Sequence, residues 1–124
     1  MRDGKNLILC IDDDPDILEY LRIVLEDGGY AVATADNGEG GLAAYGAQRP
    51  DLVLCDLMME EVDAGAHVAR TLRAKGDGVP IFMLTSVGDH LDSATAAGDL
   101  GLDGILQKPL EAERLLRLLR NRLG

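Results

Sequence analysis

The chain has 124 residues, 22 acids against 12 bases, and a formal charge of −10. Hydrophobic residues make up 47% and charged residues 27%, a composition that folds, and the length suits one domain spanning 1–124. The acidic balance argues against direct binding to nucleic acid or to an anionic membrane, and no apolar run approaches the ~20 residues of a membrane span.

Met1 to Asn6 is polar and lacks the apolar core of a signal peptide, so the expected compartment is the cytoplasm. Leu7 to Ile11 is a short apolar run that reads as a buried strand. Asp14-Pro15 opens a helix, with Asp as the cap and Pro at the first helical position. Ile17, Leu18, Leu21, Val24 and Leu25 give its inward stripe, and Gly28-Gly29 ends it. Tyr30 to Ala35 is a second strand. Asn37-Gly38 turns into a second helix that ends before Pro50. Leu52 to Cys55 is a third strand, followed by a loop at about 57–64 and a helix over Ala66 to Lys75. Pro80 to Leu84 is a fourth strand, 91–99 an Ala-rich helix of poor local propensity, and Gly104 to Leu106 a short fifth strand. Glu111 to Leu123 is an amphipathic helix with Leu115, Leu116, Leu118, Leu119 and Leu123 on one side.

Strand and helix alternate five times, and the strands are continuous apolar runs. That pattern predicts a parallel sheet covered on both faces, a doubly wound three-layer α/β fold. In such folds the site lies beyond the carboxyl ends of the strands. The first strand ends in Ile11-Asp12-Asp13-Asp14, the third in Leu54-Cys55-Asp56, the fourth in Leu84-Thr85-Ser86 and the fifth in Gln107-Lys108-Pro109. An isolated Asp after a strand is commonly a turn former or a helix cap, and Asp14 is read that way. Turn chemistry does not explain carboxylates, a hydroxyl and an ammonium on one rim.

The set fits a phosphorylation site. Clustered carboxylates repel one another and need a cation, and oxygen ligands of this kind suit Mg²⁺. A carboxylate can act as nucleophile and form an aspartyl phosphate. A metal, a Lys and a hydroxyl can stabilise charge on the equatorial oxygens of the transferring phosphoryl group. Lys108 supplies the ammonium and Thr85 the hydroxyl.

With these residues in place, the sequence resembles the receiver domain of a two-component response regulator over essentially its whole length. The resemblance rests on Asp12-Asp13, Asp56, Thr85 and Lys108-Pro109, each at a strand end, with Pro15-Asp16-Ile17 and Pro50-Asp51-Leu52-Val53-Leu54 around them. It implies a flavodoxin-like (βα)5 fold with strand order 2-1-3-4-5. It also implies that Asp56 accepts the phosphoryl group and that Asp13 binds Mg²⁺ directly. Asp12 would hold metal-bound water, and the Met58 carbonyl would be a further metal ligand. Thr85 would be the switching hydroxyl and Lys108 the phosphate partner. The implied donor is a phosphohistidine on a sensor histidine kinase or a histidine phosphotransfer protein. The implied output is a downstream protein or a fused domain. The domain would then be a switch that catalyses its own phosphorylation and dephosphorylation, not a metabolic enzyme. Receivers often pair through the last two helices and the fifth strand, so a homodimer there is also implied.

The sequence departs from the family pattern in three places. Ile105 stands where the family usually has an aromatic residue. Glu60-Glu61 and Asp63-Ala64 replace the usual turn after Asp56. The segment Ser86–Gln107 holds Asp89, Asp92, Asp99 and Asp103 and no Lys or Arg, and its helix is expected to be mobile. Met58 and Val87 lie two residues beyond Asp56 and Thr85, positions that the resemblance places beside the attacking water's path; two bulky apolar groups should hinder that water, which predicts a phosphorylated state of at least moderate lifetime.

Other readings remain open at this level. One is a receiver-like module that binds a partner without phosphorylation. Another is a Mg²⁺-dependent phosphohydrolase, which would need a second Asp where Met58 stands. Gly38-Glu39-Gly40-Gly41 is a poor nucleotide fingerprint because it does not follow the first strand. His67 and His90 carry no assigned role. Cys10 and Cys55 lack zinc-ligand spacing and read as buried thiols, with a regulatory disulfide as the sharper alternative.

Overall fold

The computed structural model describes residues 4–56, 64–86 and 102–123. In chain order the elements are β1 (Leu7–Ile11), α1 (Pro15–Asp27), β2 (Ala31–Ala35), α2 (Gly38–Ala47), β3 (Leu52–Asp56), α3 (Ala64–Ala74), β4 (Ile81–Thr85), β5 (Gly104–Gln107) and α4 (Ala112–Leu123). All four ladders are parallel, and the strand order is β2-β1-β3-β4-β5. This is the doubly wound arrangement expected from the alternation of apolar runs and helices.

Every residue of β1, β3 and β4 is buried, as continuous apolar runs require. Alternate residues serve opposite faces. Leu9, Ile11, Val53 and Met83 join Tyr45, Val68 and Leu72 from α2 and α3. Ile8, Cys10, Leu54 and Leu84 join Leu21 and Leu25 of α1 and Leu115 and Leu119 of α4. Cys10 and Cys55 therefore point to opposite sides of the sheet. An intramolecular disulfide between them is excluded by this geometry.

Local chemistry starts and stops the helices as the sequence suggests. Asp14 caps α1 by accepting from the Asp16 N–H, with Pro15 next in line. Gly29 then takes a left-handed φ of 96°, which lets the chain turn back into the sheet. Asn37 caps α2 by accepting from the Gly40 N–H at 2.6 Å. Gly41 has a separate reason to be glycine: a Cβ there would lie 2.4 Å from Ile11 Cδ1. The missing side chain lets α2 press onto β1.

Several boundaries differ from the sequence expectation. β2 begins at Ala31, because the Tyr30 N–H is taken by the Leu25 carbonyl at 2.9 Å as α1 ends. β3, β4 and β5 run on to Asp56, Thr85 and Gln107, because pairing between neighbours continues through Asp56↔Leu84 and Thr85↔Gln107. α3 starts at Ala64 and ends at Ala74, and α4 starts at Ala112. The helix expected at 91–99 lies outside the described residues, as does most of the loop expected at 57–64.

Candidate functional site

The carboxyl ends of the central strands build one acidic pocket. β1 and β3 are neighbours with Ile11 opposite Cys55, so the residues that follow reach the same rim. Asp12 is fully buried, Asp56 nearly so, and Asp13 is exposed at the mouth. Carboxylate oxygens from Asp12, Asp13 and Asp56 all lie within 4.8 Å of one another. The turn into α1 helps hold them, since the Asp14 N–H donates to Asp12 Oδ1 at 3.0 Å.

Lys108 enters from β5. Its own N–H donates to the Thr85 carbonyl at 2.7 Å, which extends the β4–β5 ladder past Gln107. Its Nζ then lies 2.8 Å from Asp12 Oδ2 and 3.4 Å from Asp56 Oδ1. Asp12 Oδ2 is buried without a well-angled hydrogen bond, so the nearby ammonium is its countercharge. Thr85 closes β4, is 8% exposed, and brings a hydroxyl to the same rim.

The electrostatics follow from burial and crowding. Burial, and after it the charge of Asp12, push the Asp56 carboxyl up to about 6 against the pull of Lys108. Burial pulls the Lys108 ammonium down, but hydrogen bonding and attraction to Asp12 and then Asp56 outweigh it, so its pKa ends above the ordinary value. Three carboxylates and one ammonium leave the pocket with an excess of negative charge. The ligands are all oxygen, with one open side at Asp13. This donor set fits a hard divalent cation such as Mg²⁺, which keeps several waters and takes few carboxylates.

Of the residues singled out in the sequence, Asp12, Asp13, Asp56 and Lys108 converge directly and Thr85 borders them. Met58, Val87, Glu60, Glu61 and Asp63 lie outside the described residues, as do Asp89, His90, Asp92 and Asp99. Ile105 is partly buried and packs against the core on the α2–α3 side of the sheet. His67 is exposed on α3 and is not among the clustered carboxylates or their ion-pair partners. Tyr45 is buried in the core, and its hydroxyl donates to Asp77 at 2.7 Å.

Two tertiary contacts have no sequence signature. Tyr20 on α1 donates its hydroxyl to the Leu110 carbonyl at 2.8 Å, close to the Lys108 turn. Asp103, grouped in the sequence with an acid-rich segment free of Lys and Arg, pairs with Arg73 at 2.7 Å and with Arg122. Its partners lie 30 and 19 residues away, so no local pattern announces them.

Comparison with known proteins identifies the family and the fold. The profile of the response regulator receiver domain matches residues 8–120. The chain belongs to the response regulator receiver domain family. This receiver domain is 41% identical over 119 residues to the DNA-binding response regulator MtrA of Mycolicibacterium smegmatis, covering 96% of this chain and 51% of that protein. It is also 41% identical over 113 residues to the response regulator MprA of Mycolicibacterium vanbaalenii, covering 91% of this chain and 48% of that protein. The receiver domain thus spans about half the length of these curated relatives. Among solved structures, the chemotaxis protein CheY4 of Vibrio cholerae superposes with a TM-score of 0.87 at 29% identity, covering 97% of this chain and 100% of that one. A receiver domain from Clostridium thermocellum superposes at 0.85 with 28% identity, covering 95% and 94% of the two chains. Receiver domains are signalling modules of two-component systems, not metabolic enzymes. Among the described residues, no helix of this receiver domain is long and apolar enough to cross a membrane.

Proposed function

We propose that this receiver domain is a phosphorylation-dependent switch, with Asp56 as the phosphoacceptor. The observation that carries the reading is the convergence of Asp12, Asp13 and Asp56 within 4.8 Å, with the Lys108 ammonium against two of them. The donor is a phosphohistidine on a sensor histidine kinase or a histidine phosphotransfer protein. An Asp56 oxygen attacks phosphorus, the O–P bond forms, the N–P bond breaks, and the donor ring, protonated on its other nitrogen, leaves with the bonding pair as neutral imidazole.

Asp12, Asp13 and Asp56, with the Met58 carbonyl, would hold Mg²⁺. When bound, the ion offsets the carboxylate charge and draws the phosphoryl oxygens toward it. Lys108 exchanges its contact with Asp56 for a phosphoryl oxygen, a shift its flexible stem allows. The Thr85 hydroxyl donates to another phosphoryl oxygen. Phosphorylation replaces one buried charge by about two and adds acceptor oxygens, so the contacts of Lys108 and Thr85 rearrange around it. That rearrangement changes binding to a downstream protein or a fused output domain. Residues 1–124 act as one domain in the cytoplasm, without direct contact to nucleic acid or membrane. A homodimer through the last two helices and the fifth strand is one route for output.

The test is intact-mass measurement after incubation with Mg²⁺ and a small acyl phosphate. One phosphoryl adduct is expected, absent in Asp56→Asn. No adduct in the unmodified protein, even with a cognate kinase, would favour a phosphorylation-independent interaction module.

A further inference from the structure

The edge strand that carries Lys108 is poorly specified by its own burial. β5 has four residues, and none of them is fully buried. Gly104 contributes no side chain, because the Phe82 ring fills its place: a Cβ there would meet that ring at 2.8 Å. Short edge strands with a glycine and little burial hold their register weakly. A slip by one residue would move Lys108 by roughly 3.3 Å and turn Ile105 and Leu106 to the wrong faces.

Asp103 stands one residue before β5 and opposite Ile81. Its N–H donates to the Ile81 carbonyl at 2.8 Å, and its Oδ2 accepts the Ile81 N–H at 2.8 Å. One residue thus occupies both backbone polar groups of Ile81. The same Oδ2 accepts from Arg73 Nη2 at 2.7 Å, and Oδ1 pairs with Arg122 on α4. Arg73 is itself fixed, because Nη1 donates to the Val79 carbonyl at 2.7 Å. The Asp103 side chain is 18% exposed, so these contacts are only partly screened. A slip by one residue, roughly 3.3 Å along the strand, would draw this carboxylate away from the Ile81 amide.

We propose that Asp103 locks the register of β5 and so sets where Lys108 stands over the carboxylate pocket. The strand is held at its far end by the Lys108 N–H on the Thr85 carbonyl at 2.7 Å and at its near end by Asp103. Asp103 is a positioning residue that acts through the backbone and never touches the phosphoryl group. The inference rests on the proposed function for the role of Lys108, whereas the lock itself is tested without phosphorylation.

The experiment compares the unmodified protein with Asp103→Ala in three measurements. Amide hydrogen exchange is followed at Ile105, Leu106 and Lys108 against Leu9 and Val53, Mg²⁺ affinity is titrated with the metal alone, and phosphorylation is timed with a small acyl phosphate. The lock predicts exchange in β5 faster by about tenfold or more, with little change in β1 and β3. Phosphorylation slows by about tenfold, while Mg²⁺ affinity does not fall, because its carboxylates follow β1 and β3 and a displaced Lys108 removes only a competing positive charge. Exchange that rises uniformly, or Mg²⁺ affinity that falls in step with the rate, would overturn the lock in favour of general loosening. Should the Ala variant not fold, Asp103→Asn keeps an acceptor for the Ile81 N–H and should show the same selectivity at about threefold. If the unmodified protein takes no phosphoryl group, the proposed function fails, and selective exchange in β5 alone still decides the lock.

Discussion

Lys108 leans toward Asp12, not Asp56: its Nζ is 2.8 Å from the first carboxylate and 3.4 Å from the second. Asp12 is fully buried and has no other cation against it among the described residues, so it makes the stronger demand on the ammonium. The phosphoacceptor proposed here is left the looser partner, which suits a group that must turn to meet an incoming phosphorus.

Replacing Lys108 by Met should expose the cost of that arrangement. Breaking a buried ion pair on one side leaves uncompensated charge, and about 2–4 kcal/mol of stability should be lost in metal-free buffer. Mg²⁺ should restore much of it by binding only the folded state. Chemical denaturation with and without Mg²⁺ measures both. An unchanged midpoint in metal-free buffer would mean that the ammonium does not neutralise the pocket.

Asp56 should make metal-free stability depend on pH in an unusual direction. Its folded pKa of about 6 lies above the ordinary carboxylate value of 3.8. The folded state therefore holds its proton where the unfolded state has lost it, and stability falls as pH rises from about 4 through about 6. Other carboxylates obscure this in the raw profile, so the useful quantity is the difference from Asp56→Asn. The two proteins should differ least near pH 4. By pH 7 the Asn variant should be more stable by roughly 1–2 kcal/mol, since solvent at the pocket mouth tempers the full effect. Saturating Mg²⁺ should shrink or reverse the difference.

Gly41→Ala should destabilise despite improving helix propensity. The added methyl meets Ile11 Cδ1 at 2.4 Å and Cγ1 at 2.9 Å, and Ile11 is fully buried. Overpacking costs about 1–3 kcal/mol, and the helical gain of about 1 kcal/mol offsets only part of it. Ile11→Val removes the offending methyl group. A double-mutant cycle should therefore show favourable coupling between the two changes, and strict additivity would contradict the close contact.

The two thiols should be inert in the folded protein. Burial, ahead of any neighbouring charge, pushes Cys10 and Cys55 each up to about 12. Almost no thiolate exists at pH 8, and reagents cannot reach the core. A disulfide-exchange reagent should label both only as fast as the protein unfolds. Rapid labelling of either in native buffer would show that a strand opens locally.

The sequence alone determined the layers of the fold and the residues on its working rim. Burial and period are written locally, so the apolar runs mark the central strands, and Asp14, Asn37 and Gly29 mark helix ends. The same locality assigns Asp12, Asp13, Asp56, Thr85 and Lys108 to strand ends, because each stands within two residues of the end of an apolar run. Tertiary structure decided how these groups share charge. The parallel register of β1 and β3 sets the carboxylate distances, and the reach of Lys108 across the sheet chooses Asp12 over Asp56. It also put Cys10 and Cys55 on opposite faces and gathered Arg73, Ile81 and Arg122 onto Asp103. Pairings of this kind join residues far apart in the chain, and their energies depend on burial and distance that exist only once the crossovers have packed against the sheet.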